Sequence, residues 1–209
     1  MAARPGLRAP GAWDGFELAV RAVLGQQISV AAATALAGRI AREHGQPLPE
    51  ALREAAPGLS HVFPAARRLA RADLSGLPMP RARSAALETL ARAAAEDPAL
   101  FEPRGDLDSA VRRLKALPGI GEWTAQYIAM RQLREPDAFP GGDVGLLRAM
   151  AGPDGRRPSP AALLARAEAW RPWRAYAALH LWTGEIVPDP LFSDSEKGGR
   201  HDRHARRAA

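Results

Sequence analysis

The chain contains no cysteine. That excludes disulfides, a thiol nucleophile, cysteine-ligated zinc and an iron–sulfur cluster. Lysine is almost as scarce: Lys115 and Lys197 are the only two, and the remaining basic residues are arginines. A lysine nucleophile therefore has few candidates. No apolar run is long enough to cross a bilayer, and no secretory leader is visible at the start, so a cytoplasmic protein is expected. No segment alternates Val, Ile or Thr with polar residues in the manner of a strand. What is present is ordinary for a globular chain of 209 residues: 46% hydrophobic and 25% charged, with a formal net charge of +6. The basic balance points to a polyanionic partner, nucleic acid first. Part of that excess lies in the terminal stretch Arg200 to Arg207.

The residues that remain read as helices. Residues 1–12, rich in Pro and Gly, form a lead-in. Asp14 is placed to cap a helix carrying Phe16, Val20, Val23 and Leu24, interrupted at Gly25, and Ser29 to cap a second helix reaching about Glu43. Residues 50–103 alternate helices rich in Ala, Leu and Arg with Pro/Gly breaks. A helix from Asp108 runs into Leu117-Pro118-Gly119-Ile120-Gly121, and another follows from Glu122 to about Leu133. After a loop over 135–142, a helix opens at Asp143, and the last helices fall near 160–169 and 172–183. A polar basic tail follows from 188 to 209. The expected class is all-α.

Two glycines two residues apart, between two helices, let the backbone turn tightly and approach another backbone closely. They also leave N–H groups free at the start of the helix at Glu122, where the helix dipole favours an anion such as phosphate. A plain helical hairpin would need the same glycines, so phosphate binding stays open on these residues alone.

Leu117-Pro118-Gly119-Ile120-Gly121 followed by Trp123-Thr124-Ala125 resembles the hairpin of the helix-hairpin-helix DNA glycosylases. Phe139-Pro140-Gly141-Gly142-Asp143 resembles the loop and aspartate that follow it in that family. Three further stretches, 3–8, 20–30 (Val20 through Gly25-Gln26-Gln27-Ile28-Ser29 to Val30) and 170–182, are similar to the bacterial inducible 3-methyladenine glycosylase branch. The resemblance covers roughly residues 3–187. Relatives carry a β-rich lobe before this point, so the chain looks like the catalytic portion alone. The fold implied is two helical lobes flanking an active-site cleft within 13–187, with the hairpin at 108–134 and the catalytic loop at 135–143.

The resemblance implies a monomeric, monofunctional enzyme of base excision repair that binds duplex DNA containing alkylated bases, with no membrane association and no required cofactor. Members of that family can bind a monovalent cation through hairpin backbone carbonyls. Breaking an N-glycosidic bond builds positive charge on the sugar, which a fixed carboxylate stabilises while orienting water. Asp143 is assigned that role, although an aspartate at a helix start also reads as a cap. Asp137 is the rival carboxylate. Bifunctional members carry a Schiff-base lysine where this chain has Trp123, which excludes that chemistry here. The resemblance places Tyr127 and Trp182 in the base pocket with Trp123 nearby. Electron-rich rings attract a base made cationic by alkylation, while aromatic core packing is the plainer alternative. Gln27 is assigned to the loop that fills the gap left by a flipped base, where relatives often carry an apolar residue. Gly119, Ile120, Gly121 and Thr124 are assigned to DNA contact. Arg81, Arg83, Arg131 and Arg148 are candidates for phosphates, and Trp13, Trp170 and Trp173 for packing. No metal site is expected. Another lesion, a non-catalytic DNA-binding hairpin and a lyase are the competing readings.

Overall fold

The computed structural model of the chain describes residues 6–186. The expected tail over 188–209, with His201 and His204, lies outside the described residues, as do residues 1–5 of the lead-in. Ten helices run along the described chain: α1 Gly15–Leu24, α2 Val30–His44, α3 Glu50–Ala55, α4 Ala66–Leu69, α5 Arg81–Glu96, α6 Leu107–Lys115, α7 Glu122–Arg131, α8 Val144–Ala149, α9 Pro160–Ala167 and α10 Arg174–Ile186. A single 3-10 turn, Glu168–Trp170, follows α9.

Side-chain caps fix half of these starts. Asp14 accepts from the Glu17 N–H, Ser29 from that of Ala32, Asp106 from that of Ser109, and Ser159 from that of Ala162 ahead of Pro160. Each such cap satisfies an N–H that has no partner inside its own helix and contributes about 1 kcal/mol. The expected boundary at Asp108 moves to Leu107 because Asp106 is the cap. The last helix opens at Arg174, not at 172. The expectation of no strand is corrected only slightly: β1 (Gln46–Pro47) and β2 (His61–Val62) form a two-residue antiparallel ladder.

Helix α1 is the centre of the molecule. Val20, Val23 and Leu24 are fully buried, and the helix packs against α2, α5 and α7. A helix covered on several sides loses solvent on nearly its whole surface, which explains why its apolar residues exceed one stripe. Removing a side chain such as Leu24 from this centre would cost about 2–5 kcal/mol. A second group forms where α10 packs on α8 and on the 3-10 turn after α9. The loop 135–143 joins the two groups.

Candidate active site

The hairpin between α6 and α7 is closed by its own backbone: the Ile120 N–H donates to the Leu117 carbonyl at 3.0 Å. Gly119 has φ +86°, and a Cβ there would stand 2.3 Å from the Ala86 Cβ on α5. Glycine is thus required twice, by backbone conformation and by close approach. Gly121 differs. Its φ is −84°, it caps α7 without a side chain, and open space lies where a Cβ would be. The first turn of α7 therefore presents its N–H groups to an unobstructed surface. Lys115 donates to Glu122 across the hairpin at 2.6 Å, holding that carboxyl below its ordinary range.

Two of the residues assigned to DNA contact, Ile120 and Thr124, border the same cleft as Asp143 but expose little of their side chains. The Ile120 side chain is 5% exposed, in the core, and its N–H is spent in the turn. Thr124 is 1% exposed, and its hydroxyl accepts from the Gln26 carboxamide at 3.0 Å. Both side chains face inward because they lie on the side of the hairpin that packs.

Gln27 lies in the loop between α1 and α2, exposed and with φ +57°, a conformation uncommon for a residue other than glycine. Its neighbour Gln26 went unassigned in the sequence. Gln26 donates both to the Thr124 hydroxyl and to the Gly119 carbonyl, the latter at 3.1 Å, while its own carbonyl accepts from Arg83 at 2.5 Å. A polar pair at a helix break was the available signal, but it gave no means of telling which glutamine turns in and which turns out. Arg83 is consequently engaged with backbone rather than free for phosphate.

Asp143 is both cap and cleft residue. One carboxylate oxygen accepts from the Leu146 N–H at 3.0 Å and from the Trp182 indole N–H at 2.8 Å. The other accepts from the Trp123 indole N–H at 2.9 Å. Two rings from two different helices therefore fix the carboxylate plane. The Trp123 and Tyr127 rings stack at 5.2 Å and 12°, and Trp182 meets Tyr127 edge-on at 6.4 Å. The stacked pair is too close to admit another ring between its members. Arg131 covers Tyr127 from the next turn of α7, 5.5 Å from the ring centre, and donates to the phenol oxygen at 3.3 Å. Trp123, Tyr127 and Asp143 share one open cleft of about 1580 Å³ with Gln27, Gly119 and Gly121. Arg148 lines the same cleft.

Asp137, the rival carboxylate, does not line this cleft and is held by other partners. Its two oxygens accept from the buried Arg174 at 2.8 and 3.0 Å, and Arg171 donates to it as well. This cluster anchors the loop 135–143 to the start of α10. The Pro136 carbonyl, which accepts from the Ala175 N–H, and the Phe139 N–H, which donates to Gln126, hold the loop further. The loop is fixed to α7 at one side and α10 at the other, the two helices that carry Trp123 and Trp182. Among the described residues no group of three or more His, Asp or Glu side chains could hold a metal ion.

No family model matches the chain. It is 42% identical over 190 residues to the Escherichia coli DNA-3-methyladenine glycosylase 2, which covers 88% of this chain and 62% of that protein. The chain has the fold of the helix-hairpin-helix DNA glycosylases and is similar in sequence to their 3-methyladenine branch. A Mycobacterium tuberculosis protein, a probable bifunctional transcriptional activator and DNA repair enzyme AlkA, is 43% identical over 92% of this chain and 38% of its own length. The chain thus spans less than two thirds of either curated relative. The fold is also that of the Schizosaccharomyces pombe 3-methyladenine DNA glycosylase solved with abasic DNA, with a TM-score of 0.67 and 21% identity over 88% of this chain and 86% of that one.

Within this glycosylase fold the remaining tryptophans sit away from Asp143. Trp170 packs edge-on against Phe139 beneath the loop. Trp173 meets Tyr176, and Trp13 is exposed. No helix among the described residues is long and apolar enough to cross a membrane.

Proposed function

We propose that this chain is a monofunctional DNA glycosylase for alkylated purines, acting on a base flipped out of duplex DNA. The observation that carries the reading is Asp143, held by the Trp123 and Trp182 indoles in a cleft that also contains Gln27 and the hairpin glycines. In this reading the N–H groups at the start of α7 take a backbone phosphate beside Gly121, and Gln27 occupies the gap left in the helix. The flipped base lies against the outer faces of the Trp123, Tyr127 and Trp182 rings.

Alkylation at a ring nitrogen makes the base cationic and a good leaving group, so the bond breaks toward the base without a strong general acid. Positive charge then grows on the sugar, and the fixed Asp143 carboxylate opposes it and directs water to the anomeric carbon. Because the carboxylate is already oriented, little reorganisation accompanies that step. Trp123 offers no amine to the sugar, so water is the nucleophile and the strand stays intact. The partner is lesion-containing duplex DNA, the chain acts as a monomer, and its place is the cytoplasm with the nucleoid.

The test is incubation with methylated duplex DNA and identification of released bases by mass spectrometry. Free 3-methyladenine with an intact abasic strand is expected, and borohydride should trap no protein–DNA adduct. Duplex binding should weaken as salt rises, through counterion release. A trapped adduct, or no base released, overturns the reading.

A further inference from the structure

Three elements meet beside the cleft, and one side chain joins them. The α1–α2 loop carries Gln27, the hairpin carries Gly119 and Gly121, and α5 carries Arg83 and Ala86. Gln26 donates its carboxamide to Gly119 and Thr124, 93 and 98 residues away. Arg83 holds the Gln26 carbonyl from the third side, and Ala86, one turn along α5, meets the α-carbon face of Gly119. The next residue after Gln26 is Gln27, in its left-handed conformation. Such a conformation persists only where surrounding contacts over-determine it. On its inner side the loop is held by the hydrogen bonds of Gln26 and by Ile28, partly buried against the core.

Building on the base-flipping function proposed above, we infer that Gln26, with Arg83, is a positioning residue. It locks the gap-filling loop to the phosphate-binding hairpin at a fixed spacing, so that both engage the duplex as one rigid surface. Gln26 itself touches no DNA. It acts through Gln27, by fixing the backbone from which Gln27 projects. A wedge on a slack loop would lose ordering entropy when it enters the helix, whereas a pre-ordered one does not. Only a residue with donors suits the position, because both partner atoms, a carbonyl and a hydroxyl oxygen, accept. Glutamate has the same length and presents oxygen where the Gly119 carbonyl needs N–H.

The experiment compares Gln26→Ala and Gln26→Glu with the unaltered chain in two measurements. Amide hydrogen exchange of the free protein reports the lock without reference to DNA. Exchange should quicken about tenfold in residues 26–29 of both variants, the scale of one or two lost hydrogen bonds. Single-turnover release from methylated duplex reports its consequence. The rate should fall about tenfold while affinity for undamaged duplex holds, because the positive φ of Gly119 and its packing on Ala86 preserve the hairpin. In a Gln27→Ala background the Gln26→Ala change should cost no further rate, since it acts only through Gln27. Unchanged exchange overturns the lock. Fully additive losses, or equal losses of rate and undamaged-duplex affinity, overturn the positioning role. If the unaltered chain releases no base, the glycosylase reading fails, while the exchange data still decide the lock.

Discussion

Trp182 on α10 donates its indole N–H to the Asp143 carboxylate at 2.8 Å, across 39 positions of sequence. Trp123 on α7 donates to the other oxygen at 2.9 Å. The carboxylate is thus oriented by two helices that meet only through the tertiary fold.

Asp143→Asn should leave a folded protein, because the amide oxygen can still cap α8 through the Leu146 N–H. It removes the charge that opposes the cationic sugar, and its NH₂ group faces an indole N–H instead of accepting from it. Base release should drop by at least about a hundredfold, with duplex binding kept or tightened. Single-turnover kinetics beside a thermal melt check this; near-normal turnover in a normally melting protein refutes the mechanism.

Trp182→Phe keeps a ring against Tyr127 and deletes one donor to Asp143. The loss is a single hydrogen bond to a charged group, so base release should slow about tenfold. Undamaged-duplex affinity should not change. Equal release from both proteins would show that the Trp182 donor is not needed for turnover.

Asp137→Asn separates the two carboxylates of the loop. Read from sequence, Asp137 is only the rival carboxylate. Its pairing with the buried Arg174 predicts a stability defect of about 1–3 kcal/mol, seen as a lower melting temperature. At temperatures where the variant is folded, its turnover should stay far above that of Asp143→Asn.

The two hairpin glycines should separate cleanly. Gly119→Ala forces a Cβ into Ala86 from a left-handed backbone and should destabilise the fold by roughly 1–3 kcal/mol. Gly121→Ala meets open space at an unstrained φ, so the melting temperature should hold while duplex affinity falls as the methyl group pushes the phosphate away. Unimpaired duplex binding by Gly121→Ala would remove this turn from the DNA surface.

Acid should loosen the hairpin. Lys115 holds the Glu122 carboxyl below its ordinary 4.5. A depressed folded value means stabilisation that is complete above the ordinary range and is lost as pH falls through the folded value. The pair is largely exposed, so the contribution is well under about 1 kcal/mol. Glu122→Gln should flatten the stability profile below about pH 4.5, measured by chemical denaturation across pH.

The helices were legible because their signals are local. Asp14 and Ser29 cap the helices expected of them, and the hairpin lies where Gly119 and Gly121 place it. The likeness to the glycosylases was legible too, since their motifs are contiguous runs. The roles of single residues were less so. Thr124 and Ile120 belong to a hairpin assigned to DNA, yet their side chains point into the protein, and helical phase near a turn is too short to tell the two sides apart.

By itself, the sequence determined an all-α chain without thiols, with an aspartate at a helix start after a glycine hairpin and a tryptophan where a lysine would change the chemistry. Each of these depends on residue identity or on neighbours within one or two turns. Tertiary structure alone decided which of two aspartates is free to face the cleft, because Arg174 and Arg171 claim Asp137 while Trp123 and Trp182 orient Asp143. It alone turned Gln26 inward and Gln27 outward. Those outcomes depend on hydrogen-bond partners 20 to 98 residues away, and no local pattern of sequence encodes which distant donor or acceptor a side chain will meet.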